Sequence, residues 1–379
     1  MSESETRPSG GVTSPRPALR RPTLKDVAAR AGVSKGLASL ALRGVPGPNP
    51  QTARRVVAAA AELGYRADRA ATALALHRSR LLGVTLSVRN AFHAEMVEAI
   101  QETAEDAGYE VVLSAVTRRR GERGAVETLL DSRCEALLLL GPELPEPELV
   151  ELDARTPVVV VGRRTGGGLT STGAGRRSAA STHGQGGGGG GSSGRLDVVR
   201  TADETGIAAA VEHLAALGHR RIAHVSGGPG RIAEDREHGF LTTTAALDLS
   251  RHCFVLRGSS SEEAGAVAGR SLLRSRQQGR ELPTAVVCFN DRVAVGLIDV
   301  LVRAGVEVPA RVSVVGYDDS DLARLGHVQL TSVSQEPVTQ ARHAVEAALE
   351  RIDGGREEHR QIVLAPRLVV RASTAAARE

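Results

Sequence analysis

From Leu81 onward the chain alternates short apolar runs of β-forming residues with longer amphipathic runs of helical period, and no other feature narrows the possible folds so far. LLGVTLSV precedes AEMVEAIQETAEDAG, and YEVVLSAV precedes AVETLLDSR; EALLLL and TPVVVVG follow. The rhythm resumes with AAAVEHLAALG, RRIAHVSG, TAVVCFN, RVAVGLIDVLVRAG and RVSVVGYDD. Apolar runs too short for a second helix, separated by helices, are strands buried on both faces, which is the signature of parallel sheets built from βαβ units. About ten such runs exceed one small sheet, so the expected core is two doubly wound parallel-sheet subdomains with a cleft between them.

One stretch interrupts the pattern. Residues 165–195, TGGGLTSTGAGRRSAASTHGQGGGGGGSSGR, hold too little apolar surface to offset the entropy of ordering them, so they read as a flexible insertion ahead of a strand near Leu196–Val199. Their glycine run lacks the GxxxxGK[ST] spacing of a phosphate cradle.

The segment before Leu81 differs in charge as well as pattern. Residues 1–80 carry 14 Lys and Arg against 5 Asp and Glu, a net of +9, and both lysines of the chain, Lys25 and Lys35; the remainder is net −5. A basic head on a mildly acidic body implies a polyanionic partner for the head. Residues 1–21, rich in Ser, Pro, Gly and Arg, read as a disordered tail. Residues 22–66 then carry three helical patterns. Thr23 caps a first helix with Asp26 in its opening turn, and Leu24, Val27, Ala28 and Ala31 share one face. Gly32 supplies the turn, and Ser34 caps a second helix whose Leu37, Ala38, Ala41 and Leu42 face inward. Small residues at Ala28 and Ala38 let the two helices cross closely. Asn49 as cap and Pro50 at the first helical position open a third helix that ends at Gly64. This is a helix–turn–helix with a supporting helix.

Several function classes fall away. The histidines form no HExxH, and there is no GxSxG elbow and no GxGxxG after the first strand; Gly227-Gly-Pro-Gly230 lacks the third glycine and the acidic partner. The cysteines Cys134, Cys253 and Cys288 are widely spaced with no CxxC, and each reads as a small core residue in a reducing compartment. Seven aromatics and no Trp exclude an aromatic stacking surface as the main device. No apolar run reaches the roughly 18 residues of a membrane span, and the N-terminus lacks an apolar signal core. The chain therefore reads as a cytoplasmic binding protein, with no catalytic residues, no metal and no cofactor.

TLKDVAARAGVS, ELGYRAD and a linker ending in RSRLLGV resemble the lactose-repressor (LacI/GalR) family of transcriptional regulators over residues 22–373, the Gly-rich insertion excepted. The resemblance implies a helix–turn–helix domain over 22–66, a hinge helix over 67–80 and a periplasmic-binding-protein-like core over 81–373 that binds a small-molecule effector and pairs two subunits. Residues 374–379 are left as a tail. It also implies a palindromic double-stranded operator bound by a homodimer, with repression switched by a metabolite such as a sugar.

Residue by residue, the resemblance places Thr23, Ser34, Lys35, Gly36, Ser39, Leu40, Arg43 and Tyr65 at the DNA, with Ser34 and Ser39 on phosphates and Lys35 and Gly36 where bases are read. Many members carry Thr-Val-Ser-Arg where this chain has Leu37-Ala38-Ser39-Leu40. An arginine there grips guanine for about 1–3 kcal/mol of discrimination, and Leu40 cannot. In the hinge, Ala71 and Leu74 match the residues that enter the minor groove, where leucine wedges kink the duplex. Such a short helix is marginal alone and folds on the DNA. Asp68 and Ala67 depart from the common Asn and Pro.

In the core, Phe92, His93, Arg236, Asn290, Asp318 and Gln335 stand where relatives line the effector cleft. Their chemistry suits that role, since Asp318 and Asn290 can bond vicinal hydroxyls and Arg236 can bridge hydroxyl or carboxylate groups. Two of them also have a plain structural alternative: a turn after a strand for Asp318, with Asp319, and a helix cap for Asn290. Ser260 replaces an aromatic and Gly162 an acidic residue found in some members. The competing function is a metabolite-binding α/β protein whose head binds nucleic acid loosely and without sequence preference.

Overall fold

The computed structural model describes residues 22–65, 78–117, 119–165 and 195–378. The hinge residues Ala71 and Leu74, the N-terminal tail and nearly all of the Gly-rich insertion lie outside these residues. The chain divides into two units, residues 1–78 and 79–379.

The first unit holds α1 (Leu24–Ala31), α2 (Lys35–Leu42) and α3 (Pro50–Leu63). At the start of α1 the Asp26 carboxylate accepts both the Thr23 N–H and the Thr23 hydroxyl at 2.7 Å. Gly32 ends the helix at φ +66°, a left-handed conformation that glycine adopts without penalty, and Val33 N–H returns to the Ala28 carbonyl. Ser34 Oγ accepts the Leu37 N–H, Asn49 Oδ1 accepts the Thr52 N–H, and Pro50 opens α3. Val27, Ala28, Ala31, Ala38, Ala41, Val56, Ala59 and Ala60 form the core. Six of these eight are alanine, so the helices approach closely and the small unit buries little area per residue.

The second unit contains two six-stranded sheets. The first has the order β11-β5-β4-β3-β1-β2, made of β1 (Leu81–Ser87), β2 (Glu110–Val116), β3 (Ala136–Leu140), β4 (Val158–Val161), β5 (Asp197–Thr201) and β11 (Gln361–Leu364). The second has the order β12-β10-β9-β8-β6-β7, made of β6 (Ile222–Val225), β7 (Phe254–Leu256), β8 (Ala285–Cys288), β9 (Ser313–Asp318), β10 (Thr331–Ser334) and β12 (Arg367–Val369). All pairings are parallel except β10 with β12. The central register sets Val84 beside Leu138 and Leu138 beside Val159, all fully buried.

Helices cover both faces of each sheet, which explains the uninterrupted apolar strands. The first sheet is flanked by α4 (Ala91–Asp106) and α12 (Pro337–Ile352) on one face, and by α5 (Glu122–Asp131) and α6 (Glu146–Asp153) on the other. The second is flanked by α7 (Asp203–Ala216) and α8 (Arg231–Ala246), and by α9 (Glu262–Gln277) and α10 (Asp291–Arg303). The short α11 (Asp321–Arg324) follows β9. Helices α9 and α10 touch backbone to backbone: a Cβ at Gly296 would lie 1.9 Å from the Glu262 carbonyl oxygen, and one at Gly265 2.0 Å from that of Val293. The chain passes between the sheets three times, from β5 to α7, from β10 to α12 and from β11 to β12.

Two expectations need correction. Of the residues left as a tail, 374–378 are held in place, because Ala375 N–H donates to Ser313 Oγ and Ala377 N–H to the Leu217 carbonyl, laying this stretch along the second subdomain. Cys134 and Cys288 are buried as expected, but Cys253 is half-exposed beside the short strand β7, which leaves one side uncovered.

Candidate functional site

In the helical unit Ser34, Lys35, Gly36, Ser39, Leu40 and Arg43 lie on α2 and its ends, whereas Thr23 precedes α1 and Tyr65 follows α3. Ser34, Lys35, Gly36 and Arg43 are exposed and Ser39 is half-buried. No atom lies within 4 Å of where a Gly36 side chain would begin, so the face is open at that point. Leu40 is half-buried and its Cδ1 reaches toward Gly47, so part of this residue packs on the turn before α3. Arg43 donates from Nε to the Ser39 carbonyl, and Tyr65 leans on the unit's own core. Thr23 donates its hydroxyl to Asp26, whereas Ser34 Oγ accepts the Leu37 N–H and keeps its own hydroxyl hydrogen able to donate.

In the second unit all six cleft residues line one cavity at the carboxyl ends of the strands. The first subdomain contributes the start of α4 and the ends of β3 and β4. Asn90 Oδ1 accepts the Phe92 N–H and caps the helix, which turns Phe92 and His93 inward. His93 Nδ1 accepts the Ser87 N–H at 3.0 Å, so its proton sits on Nε2, next to Gly141. Burial lowers its pKa to about 4, and the ring is neutral.

The second subdomain contributes the start of α8 and the ends of β8, β9 and β10. Arg236 is 3% exposed. Its Nε donates to Asp203 Oδ1 at 2.7 Å, its Nη1 donates to the Phe289 carbonyl at 2.7 Å, and Asp318 lies at 3.9 Å. The guanidinium also lies 3.5 Å from the Tyr317 ring centroid and 4.7 Å from that of Phe289. Burial opposes the charge, but the facing Asp203, Tyr317 and Asp318 hold its pKa above the ordinary value. Asp318 has φ +111°, outside the comfortable range of a side-chain-bearing residue, and accepts the Gln335 Nε2–H at 2.7 Å. Gln335 Oε1 in turn accepts the Thr201 hydroxyl. Burial, with Asp291 nearby, pushes the Asp318 carboxyl well above the usual range, against the pull of Arg236.

For Asn290 the cap and the lining coexist. Its Oδ1 accepts the Val293 N–H at the start of α10, its Nδ2 donates to the Ser260 carbonyl, and its side chain borders the cavity. Asp319 is structural, bound to Arg371 at 2.6 Å. Asp291, with its pKa raised to about 6 by burial, accepts the Ser320 and Ser332 hydroxyls.

Sequence reading missed Asp203, which has no motif around it and whose partner lies 33 residues away. It also missed two contacts across the cleft. Arg164, after β4, holds both carboxylate oxygens of Asp235 on α8 at 2.7 and 2.9 Å, and Glu95 on α4 accepts the Asp321 N–H at 3.0 Å. Among the described residues there is no cluster of three or more His, Cys, Asp or Glu side chains able to hold a metal ion, and no helix long and apolar enough to cross a membrane.

Comparison with known proteins agrees with both parts. Residues 23–68 match the model of bacterial regulatory proteins of the lacI family, and residues 211–374 a periplasmic binding protein-like domain. The HTH-type transcriptional regulator GalR of Escherichia coli K12 is 28% identical over 354 residues, covering 93% of this chain and 95% of that protein. The crystal structure of a LacI transcriptional regulator from a Rhodococcus species is 41% identical, covering 78% of this chain and 99% of that one, with a TM-score of 0.68. The lac repressor dimer bound to operator and the anti-inducer ONPF is 26% identical, covering 94% of this chain and 100% of that one, with a TM-score of 0.74.

Proposed function

Since the chain belongs to the lacI family of bacterial regulatory proteins, we propose that it is a cytoplasmic, ligand-responsive repressor that binds a palindromic operator as a homodimer. The observation that carries this reading is the pairing, in one chain, of a capped helix–turn–helix having an open α2 face with a cleft lined from both subdomains. Lys35, Gly36, Ser39, Leu40 and Arg43 face the DNA, and Leu74 is the minor-groove wedge. Phe92, His93, Arg236, Asn290, Asp318 and Gln335 hold the effector, a sugar or related metabolite.

The geometry supports a switch. Because the cavity draws on both subdomains, an occupant that bonds His93 on one side and Asp318 on the other favours one relative arrangement of the two sheets. Three chain connections pass between the sheets, so the change is carried to the body as a whole rather than to one loop. A coupling of about 1–3 kcal/mol between effector and operator gives a 5- to 150-fold change in DNA affinity.

The test is footprinting on DNA flanking the protein's own coding region, with and without a panel of sugars. A two-fold-symmetric protected site whose affinity shifts with one of them is expected. No preference for any symmetric site over random duplex at moderate ionic strength would refute the reading. Asp318→Ala is expected to keep the operator footprint and lose the response.

A further inference from the structure

The chain enters β1 through a corner whose backbone is held by side chains. Ser79 Oγ donates to the Arg133 carbonyl at 2.6 Å, and the Arg80 N–H donates to Glu135 Oε1 at 2.8 Å. The Arg80 carbonyl accepts the Glu110 N–H at 2.9 Å, and the Leu81 carbonyl accepts the Glu135 N–H at 2.8 Å. Arg80 and Arg133 have φ of +51° and +57°, left-handed conformations that disfavour a Cβ and persist only where neighbouring bonds impose them. In the proposed hinge, residues 67–80, Ser79 and Arg80 come last, so the strain sits where that segment joins the body.

Tyr109, 2% exposed, ties this corner to a distant part of the chain. Its hydroxyl lies 3.4 Å from Glu135 Oε2 and 3.2 Å from Asp353 Oδ2, and the Arg80 guanidinium stands 5.7 Å from its ring centroid. One hydroxyl hydrogen faces two carboxylates, so a strong bond to one weakens the bond to the other. Asp353 immediately follows α12, whose opposite end is at the cleft. Gln335, which lines the cavity, precedes that helix by two positions, and its carbonyl accepts the Gln340 Nε2–H at 2.7 Å. Sixteen residues at about 1.5 Å each make α12 a rod of about 24 Å. Its buried face is Ala341, Ala344, Val345, Ala347 and Ala348, short side chains that permit a small slide of helix over sheet.

We propose, resting on the effector reading of the cleft, that α12 reports cleft occupancy to the start of β1, with Tyr109 as the positioning residue that passes a shift of Asp353 to Glu135 and Arg80. An occupant bonded to Gln335 displaces the near end of α12. Asp353 moves with the far end and gains or releases the Tyr109 hydroxyl. Glu135 loses or regains that hydrogen, which changes how firmly it holds the Arg80 N–H and so how the hinge leaves the body.

The first test is amide hydrogen exchange, read by mass spectrometry on the full-length protein without effector or DNA. Gln335→Ala perturbs the cleft end of the rod, and Gln335→Met takes its place if that variant does not fold. Exchange over residues 79–81 should change by at least about twofold from the native rate. The change should vanish when Tyr109→Phe is added, since that substitution keeps the ring beside Arg80 and removes the hydroxyl. An unaltered rate over residues 79–81 overturns the rod, and an equal change with and without Tyr109→Phe removes Tyr109 from the role. The second test uses the operator found by footprinting and whichever of glucose, galactose and ribose shifts its affinity. Tyr109→Phe should still bind that sugar in a calorimeter, while the ratio of operator affinities with and without it shrinks by about 2- to 30-fold. A native ratio in that variant overturns the inference and leaves the effector reading standing. If none of the sugars shifts the native protein, the effector reading fails, and the exchange measurement alone decides whether α12 couples its two ends.

Discussion

Replacing Asp203 with Ala isolates the energetics of the buried arginine. The pair is closed at 2.7 Å with side-chain exposures of 3% for Arg236 and 1% for Asp203, so little solvent is available to either charge. Removing one partner of a buried ion pair typically costs about 3–5 kcal/mol, most of it from the stranded charge. Here two features pull toward the low end. Arg236 keeps its bond to the Phe289 carbonyl and its position over the Tyr317 ring, a cation–π contact worth up to about 2 kcal/mol when desolvated. Asp203 is also one of the charges that raise the Asp318 pKa, so its loss lets Asp318 ionise more readily at 3.9 Å from the guanidinium. The expected loss is therefore about 3 kcal/mol, and Asp203→Asn, which keeps an acceptor oxygen, should lose about half of that. Urea denaturation read by far-ultraviolet circular dichroism measures it, since the chain has no Trp to follow by fluorescence. The double variant Asp203→Ala with Arg236→Met should recover stability relative to Asp203→Ala alone, because the orphaned charge is gone. A single-variant loss below about 1 kcal/mol, or a double variant no more stable than the single, would refute the buried-charge account.

Three further outcomes follow from the geometry. Gly296→Ala should lower the melting temperature, because its Cβ would lie 1.9 Å from the Glu262 carbonyl and overpacking of about 1–3 kcal/mol exceeds the helix-propensity gain of about 1 kcal/mol; a rise would contradict the close α9–α10 crossing. His93 and His224 have pKa values lowered to about 4 by burial, so the unfolded chain binds their protons first, and the stability they contribute is lost as pH drops from 6.5 toward 4. Asp291, raised to about 6 by burial, and Asp318, pushed well above the usual carboxylate range, work in the opposite sense, so the histidine share is read by difference: the stability gap between His224→Phe and the native protein should change as pH falls from 6.5 toward 4, and a gap independent of pH would exclude His224 as a source of acid lability. Arg164→Ala removes a contact that spans the cleft beside the cavity without lining it, so effector affinity should weaken several-fold while the bound compound's preference order stays the same; unchanged affinity would make the pair purely structural.

Much of this was legible because local physics fixes it. Thr23, Ser34 and Asn49-Pro50 announce helix starts, and Gly32 and Gly64 announce left-handed ends, each within a few residues of the element it bounds. The apolar runs of β1, β3, β4, β6, β8 and β9 marked parallel strands directly. The short strands β7, β11 and β12 did not stand out, since three or four half-exposed residues carry no periodicity. Nor does sequence say which sheet an element joins: α12 follows a strand of the second sheet yet packs its Ala341, Ala344 and Val345 on the first. The cleft residues came from motifs, whereas Asp203, Glu95 and the Arg164–Asp235 pair depend on contacts between distant segments and left no local trace.

The route of the chain between the two sheets bears on how the protein is made. The first sheet's core is completed by α12 and its edge by β11, both encoded near the carboxyl end, and the second sheet's edge strand β12 comes later still. While it emerges from the ribosome, the early half of the body therefore has Leu82, Ile100 and Leu138 without their final cover until synthesis is almost complete. A premature stop anywhere before residue 337 would leave apolar surface bare on the first subdomain as well as the second, so truncated products should be insoluble or degraded rather than act as half-sized regulators.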